Sequence, residues 1–298
     1  MKTLISNTLD IDLNGFSLKA KTWGNPNGKP IIAIHGWLDN ANSFDKIVPL
    51  IDDDLYIVAI DLAGHGLSDH REGNGNYYLW DYAVDVLHVM DAFNWKTCSI
   101  VAHSLGTGVA SIIAGAFPNR IEKLVFIDGL GAPFVSTEDK IVFDFKTAFQ
   151  QLKMARKTRL YGFSSKETAT FKTKEEAIRN RMDNIISPIS YEASNTLLKR
   201  GLIKVPDGYR WSHDPKIALP KFHNITEFQA QQFIQQIDCE TLILLGKQGL
   251  FSKNLFHSRL DAFKKATIHW IDGNHHLHLE NAHYSIAELT NHFLNIKI

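Results

Sequence analysis

Cysteine is scarce: Cys98 and Cys239 are the only two in 298 residues. Both fall at the edges of short apolar runs and read as reduced core residues. Two such thiols build neither a disulfide framework nor a thiolate metal site. Net charge is also missing, since Lys plus Arg and Asp plus Glu both number 32. Without a global field, neither nucleic acid nor an acidic membrane surface is an expected partner. No apolar run approaches the roughly 20 residues of a membrane span. Met1-Lys2-Thr3-Leu4-Ile5-Ser6 soon turns polar and lacks the apolar stretch of a secretion signal, so the expected setting is cytoplasmic. Repeats and low-complexity tracts are absent.

What the chain does have is a set of short apolar runs, each ending in small and polar residues. Residues 3–23 alternate partially around Asn14-Gly15, a turn signal, and predict an antiparallel hairpin. Ile31-Ile32-Ala33-Ile34 reads as a strand buried on both faces and runs into His35-Gly36-Trp37-Leu38-Asp39-Asn40. Residues 55–60 form the next such run, followed by Asp61-Leu62-Ala63-Gly64-His65-Gly66-Leu67-Ser68. Helical spacing covers 79–93. Further buried strands are predicted at 98–102, 123–127, 241–245 and 267–271, and further helices at 252–263 and 279–295. Repeated strand–helix units predict a mostly parallel, doubly wound sheet with helices on both faces. In such sheets ligands bind at the carboxyl ends of the strands.

Between about 131 and 237 strand signals become sparse and polar, helix-favouring stretches dominate. This segment holds seventeen Lys or Arg against eleven Asp or Glu. It predicts an inserted helical cap, 131–237, between the core pieces 1–130 and 238–298. The basic excess reads as a solvated helical surface, with preference for an acidic substrate as the rival.

The chain is organised around Val101-Ala102-His103-Ser104-Leu105-Gly106-Thr107-Gly108. A strand leads in and a tightly packed helix leads out. Ser104 is flanked two residues away on each side by the small residues Ala102 and Gly106. A sharp strand-to-helix turn needs small neighbours there and exposes the hydroxyl, which is the geometry of a nucleophile elbow. The usual residue at position 102 would be glycine. The N–H of Leu105 then faces a developing oxyanion, helped by the positive end of the helix. A second donor is expected from the N–H of Trp37, with Gly36 allowing close approach. His35 reads as a brace of that loop, and the turn at Asp61 and Gly64 to Ser68 as structural support.

A serine hydroxyl needs a base, and the base an orienting carboxylate. Asn274-His275-His276-Leu277-His278-Leu279-Glu280 offers three histidines after the final strand. His275, first after the turn, is the candidate base. His276 is second, and His278 reads as packing or capping the following helix. The carboxylate would be expected after the strand 241–245, but Gly246-Lys247-Gln248-Gly249-Leu250-Phe251 carries none. Asp128, ending the neighbouring strand, is the candidate acid, with a turn-capping role as its bland reading and Asp272 as the alternative.

Together, H-G-W-L-D-N, D-L-A-G-H-G-L-S, A-H-S-L-G-T-G, F-I-D-G-L-G and H-H-L-H-L-E resemble the α/β-hydrolase superfamily, above all serine hydrolase-like proteins and related bacterial carboxylesterases. The resemblance spans nearly the whole chain and is weakest at 131–237. It implies an α/β-hydrolase fold with a lid, serine esterase chemistry, a small-molecule ester substrate, and no cofactor or metal. Some relatives, certain haloalkane dehalogenases included, carry the acid after the sixth strand, which supports Asp128. Dehalogenases and epoxide hydrolases use an aspartate nucleophile where Ser104 stands, so both activities are set aside. The expected function is a carboxylesterase acting on short to medium acyl chains. Phe134, Phe143, Phe145 and Trp211 are the candidates for the acyl pocket. A thioesterase, lactonase or carbon–carbon hydrolase is the alternative on the same fold, and a non-catalytic binding protein is the third. A homodimer is left open.

Overall fold

Alternate residues of the central strands point to opposite faces of a sheet, and both faces are covered. The computed structural model describes residues 6–52, 54–72, 77–158, 170–184, 187–251 and 257–295. Ile32, Ile34, Val58, Ile60, Ile100, Ala102, Leu124 and Phe126 join one buried cluster. Their neighbours Ile31, Ala33, Ile57, Ala59, Val101, Val125 and Ile127 join another. A strand buried on both sides cannot alternate apolar with polar, which is why these segments read as continuous apolar runs.

The strands are β1 (Asn7–Asp12), β2 (Ser17–Gly24), β3 (Lys29–Ile34), β4 (Leu55–Ile60), β5 (Cys98–His103), β6 (Ile121–Ile127), β7 (Leu202–Val205), β8 (Gly208–Trp211), β9 (Glu240–Gly246) and β10 (Ala266–Ile271). Eight of them form one sheet in the order β1-β2-β4-β3-β5-β6-β9-β10. β1 pairs antiparallel with β2, and β2 with β4. From β4 through β10 neighbouring strands are parallel. The carboxyl ends of β3, β5, β6, β9 and β10 therefore share one edge, and the loops that follow them meet there.

The helices are α1 (Leu79–Ala92), α2 (Leu105–Ala116), α3 (Ile141–Thr158), α4 (Lys174–Met182), α5 (Tyr191–Gly201), α6 (Glu227–Gln236), α7 (His257–Leu260) and α8 (His283–Asn295). α1 and α2 bury Val86, Val89, Val109 and Ile113 on one sheet face. α8 buries Ile286, Ala287, Phe293 and Leu294 on the other. Of the helix expected at 252–263, only α7 is seen; residues 252–256 lie outside those described, as do residues 3–5 of the expected hairpin.

Between β6 and β9 the chain forms α3, α4, α5, the antiparallel hairpin β7–β8 and α6. Helix dominates there, but the hairpin is an addition to the sequence reading. Its turn, Pro206-Asp207-Gly208, carried an ordinary turn signal. α6 packs on α2 so closely that a Cβ on Gly115 would lie 2.4 Å from the carbonyl oxygen of Phe233. α5 is tied to the loop after β3: the side-chain amide of Asn40 donates to the carbonyl of Leu197 at 3.0 Å, and that of Asn42 to Thr196 at 2.9 Å. Arg200 of α5 is ion-paired with the fully buried Asp61 at 2.8 Å.

Candidate active site

Ser104 sits between β5 and α2 with φ 50° and ψ −114°, a backbone conformation that costs energy for a residue with a side chain. Its N–H donates to the carbonyl of Ile127 at 3.2 Å and its carbonyl accepts from the Thr107 hydroxyl at 2.7 Å. These bonds hold the turn. Gly106 is required by space, since a Cβ there would lie 2.3 Å from the Ile34 carbonyl oxygen. Ala102 is an interior strand residue, fully buried and paired with Ile34 and Phe126, and its methyl belongs to the core. The asymmetry between Ala102 and Gly106 is thus a matter of which position faces a neighbouring backbone.

The structure brings Ser104, His275 and Asp128 into one hydrogen-bond chain. His275 Nε2 lies 2.9 Å from Ser104 Oγ, and His275 Nδ1 lies 2.5 Å from Asp128 Oδ2. A carboxylate only accepts, so Nδ1 carries the proton and Nε2 presents its lone pair to the hydroxyl. Burial lowers the pKa of His275 below its ordinary 6.5; the hydrogen bond and charge of Asp128 oppose that shift. The imidazole is neutral at pH 7 and competent to take a proton.

Asp128 has no exposed surface and φ 37°. Its Oδ1 accepts the N–H of Gly246 at 2.9 Å, and its Oδ2 the N–H of Leu250 at 3.1 Å. The turn after β9, which lacks an acid of its own, thus folds its backbone donors around the carboxylate from β6. Asp272 stands elsewhere: it is largely exposed and pairs with Lys247 at 3.0 Å.

The loop of Trp37 lies directly against the serine. A Cβ on Gly36 would come within 3.2 Å of Ser104 Cβ and 2.9 Å of His103 Nδ1. His35 braces this loop, since its Nε2 accepts the N–H of Leu62 at 3.0 Å and its Nδ1 lies 2.7 Å from the carbonyl of Gly36. Leu105 opens α2, where N–H groups lack an acceptor within the helix. Asp61 supports the edge by accepting the N–H groups of Ala41 and Leu67 at 2.7 and 2.9 Å.

A buried polar cluster behind His275 was not read from the sequence. The carbonyl of His275 accepts from His103 Nε2 at 3.0 Å, which ties the His275 loop to the elbow strand. His276 Nε2 lies 3.0 Å from Asp39 Oδ2, and its Nδ1 2.7 Å from the Ser187 hydroxyl. Arg181 of α4 reaches Asp39 and His276, both at 3.3 Å. Burial lowers the pKa of His276 to about 4. Burial would raise that of Asp39, but His276, His103 and Arg181 hold it well below the usual carboxylate range. His278 packs against His103 and Phe44, 2.8 Å from the Ser43 hydroxyl, and caps no helix. Asp39, His103 and His276 bring their ligating atoms within 4.8 Å of one another, a spacing that could hold a cation. The Arg181 guanidinium already supplies positive charge to this carboxylate, which argues for a hydrogen-bonded network over a metal centre. Asp39 stood in a motif visible in the sequence; its partners come from β5, α4 and the loop after β10, and no spacing announces that.

A cavity of about 480 Å³ opens over Ser104 and His275 and is lined in part by Phe134 and Trp211. The expectation for Phe143 and Phe145 fails. They lie on α3, 66% and 52% exposed, outside this cavity, and the ring of Phe145 meets Phe222. Ile141, Val142 and Phe149 of α3 are exposed as well, while Ala148 is buried.

The family described as "alpha/beta hydrolase fold" matches residues 29–282. A serine hydrolase-like protein of Dictyostelium discoideum is 31% identical over 282 residues, covering 90% of this chain and 76% of the relative. One of Danio rerio is 30% identical, covering 89% and 81%. Among solved structures, a hypothetical protein of Pseudomonas aeruginosa PAO1 superposes with a TM-score of 0.89 at 36% identity, covering 97% of this chain and 99% of that one. The thioesterase domain from the curacin biosynthetic pathway superposes with a TM-score of 0.80 at 23% identity, covering 96% and 99%, which is a likeness of fold. No described helix is long and apolar enough to cross a membrane.

Proposed function

This chain belongs to the alpha/beta hydrolase fold family, with serine hydrolase-like proteins among its relatives, and on that premise we propose that it hydrolyses small to medium carboxylic esters. The observation that carries the reading is the chain of hydrogen bonds from Ser104 through His275 to Asp128, 2.9 and 2.5 Å long. Ser104 attacks the acyl carbon as His275 Nε2 takes the hydroxyl proton. The Asp128 carboxylate keeps the proton on Nδ1 and stabilises the imidazolium. The N–H groups of Trp37 and Leu105 receive the oxyanion, where such donors each contribute about 10²–10³ in rate. His275 then protonates the leaving alcohol. Water, deprotonated by the same nitrogen, releases the acid and restores Ser104.

In this reading the segment 131–237 is a cap that roofs the site, and 1–130 with 238–298 is the core. Phe134, Trp211 and Arg181 come from the cap and face the cavity. The test is hydrolysis of p-nitrophenyl acetate, butyrate and octanoate beside the Ser104→Ala variant. Activity that vanishes in the variant supports the reading. Absence of turnover, together with failure of Ser104 to react with a fluorophosphonate, turns it toward a binding role.

A further inference from the structure

A second cavity adjoins the first. It measures about 320 Å³, at the lower end of ligand-sized spaces. Trp37, Pro133 and Phe134 line both chambers, and the rings of Trp37 and Phe134 meet edge to face at 6.1 Å between centroids. Phe134 is 52% exposed, so its ring can turn without emptying a packed core. The backbone bearing it is anchored: the fully buried Arg259 donates to the carbonyls of Leu130 and Ala132 at 2.9 and 2.7 Å. The partition is therefore a movable ring on a fixed loop.

The two chambers differ in chemistry. The first contains Ser104 and His275, and part of its wall is a connected polar set, Asp39, Arg181, Ser187 and His276, beside Asn180 and Asn184. The second is walled by Tyr77, Leu79, Trp80, Tyr82, Ile217 and Ile225. Two of its polar groups, Tyr77 and Lys221, are engaged within the protein, and Tyr78, His223 and Asn224 also line it. The Tyr77 hydroxyl donates to Asp214 at 2.7 Å, and the Lys221 ammonium to the carbonyls of Lys216 and Ile217 at 3.3 and 3.2 Å. It holds neither Ser104 nor His275, but Leu105 and Trp37 line it.

A tetrahedral carbon on Ser104 carries three further substituents. The oxyanion points at the N–H groups of Trp37 and Leu105. The leaving oxygen must reach His275 Nε2 for its proton, so the alcohol occupies the first chamber. The acyl substituent takes the remaining direction, and the second chamber, parted from the first by Trp37 and Phe134, is the space left for it. Resting on the serine esterase reading above, we infer that the second chamber binds the acyl group and that the substrate joins an apolar, ring-sized acyl group to a polar, hydrogen-bonding alcohol. Apolar acyl surface fits the aromatic walls, and the alcohol's hydroxyls fit the polar set.

The experiment compares p-nitrophenyl phenylacetate with p-nitrophenyl acetate on the wild type, Ala218→Trp and Ile225→Ala. Ala218 lines the second chamber and is exposed, so the indole fills space at little risk to folding. The ratio of kcat/KM, phenylacetate over acetate, is expected to exceed ten in the wild type. It should fall at least tenfold in Ala218→Trp, through loss of phenylacetate turnover. Ile225→Ala should shift preference to the larger p-nitrophenyl naphthylacetate. A parallel pair, glyceryl and hexyl phenylacetate, should favour the glyceryl ester. Turnover of both nitrophenyl esters with ratios unmoved in both variants, or preference for the hexyl ester, overturns the chamber assignment alone. No turnover of any ester by the wild type overturns the esterase reading and this inference with it.

Discussion

A Cβ on Gly249 would lie 2.2 Å from Oδ1 of Asp128. The turn after β9 can wrap the Asp128 carboxylate only because that position has no side chain. Gly246 and Leu250 then reach it with their N–H groups. The carboxylate missing from this turn and the glycine present in it are two sides of one arrangement. The acid arrives from β6, and the β9 turn supplies its donors.

Asp128→Asn should lower kcat about 10⁴-fold with the fold intact, because a carboxamide reverses the tautomer of His275. Gly249→Ala should lower it about 10²-fold by displacing the carboxylate by about an ångström. Steady-state kinetics beside circular dichroism measure both. Near-normal turnover in Asp128→Asn would remove Asp128 from the mechanism.

The elbow makes an asymmetric prediction. Gly106→Ala pushes a methyl against the Ile34 carbonyl and should cost about 1–3 kcal/mol along with most of the activity. Ala102→Gly restores the more usual residue yet empties a core position, and should cost about 0.5–1 kcal/mol with activity retained. Urea titrations read the first quantity and ester turnover the second. Equal effects from the two changes would contradict the packing account.

The pH–rate profile follows from His275. Burial holds its pKa below 6.5, and only the neutral ring accepts the Ser104 proton. kcat/KM should therefore fall on acidification with an inflection below 6.5 and stay level from about pH 7 to 8. An inflection above 7 would mean that Asp128 outweighs burial.

Stability should fall over the same acid range for a different reason. Burial holds His213 and His276 each to about 4, against 6.5 in the unfolded chain. Between those values the unfolded state binds more protons, so stability rises with pH through that window and is lost as pH drops from 6.5 toward 4. Asp39, held low by its partners, contributes in the same sense, and its share is lost at still lower pH. The urea midpoint at pH 4.5 should lie below that at pH 7, and His276→Gln should flatten the difference. Equal midpoints for the unmodified chain would refute this.

The strands were legible because each buried one is a continuous apolar run, and the elbow was legible because its constraint is local. Strand, Ser104 and helix are consecutive, and Gly106 answers to a steric need two residues away. The hairpin β7–β8 was missed although Pro206-Asp207-Gly208 marked its turn, since two four-residue strands beside helices carry too little periodicity. Phe143 and Phe145 were misjudged because aromatic character does not say which way a helix will face. The cluster of Asp39, His103, Arg181 and His276 was invisible, as its members come from four separated segments.

The parallel sheet, the order of its strands along the chain and the gathering of loops at one edge were all readable from the chain's residues. Those follow from local burial and turn chemistry. Folding of the whole chain sets which histidine meets Ser104 across 171 residues, which carboxylate meets that histidine across 147, and where Trp37 and Phe134 divide the cavity. Such contacts depend on how neighbouring strands end beside one another and on the path of each loop, quantities set by packing the whole chain at once.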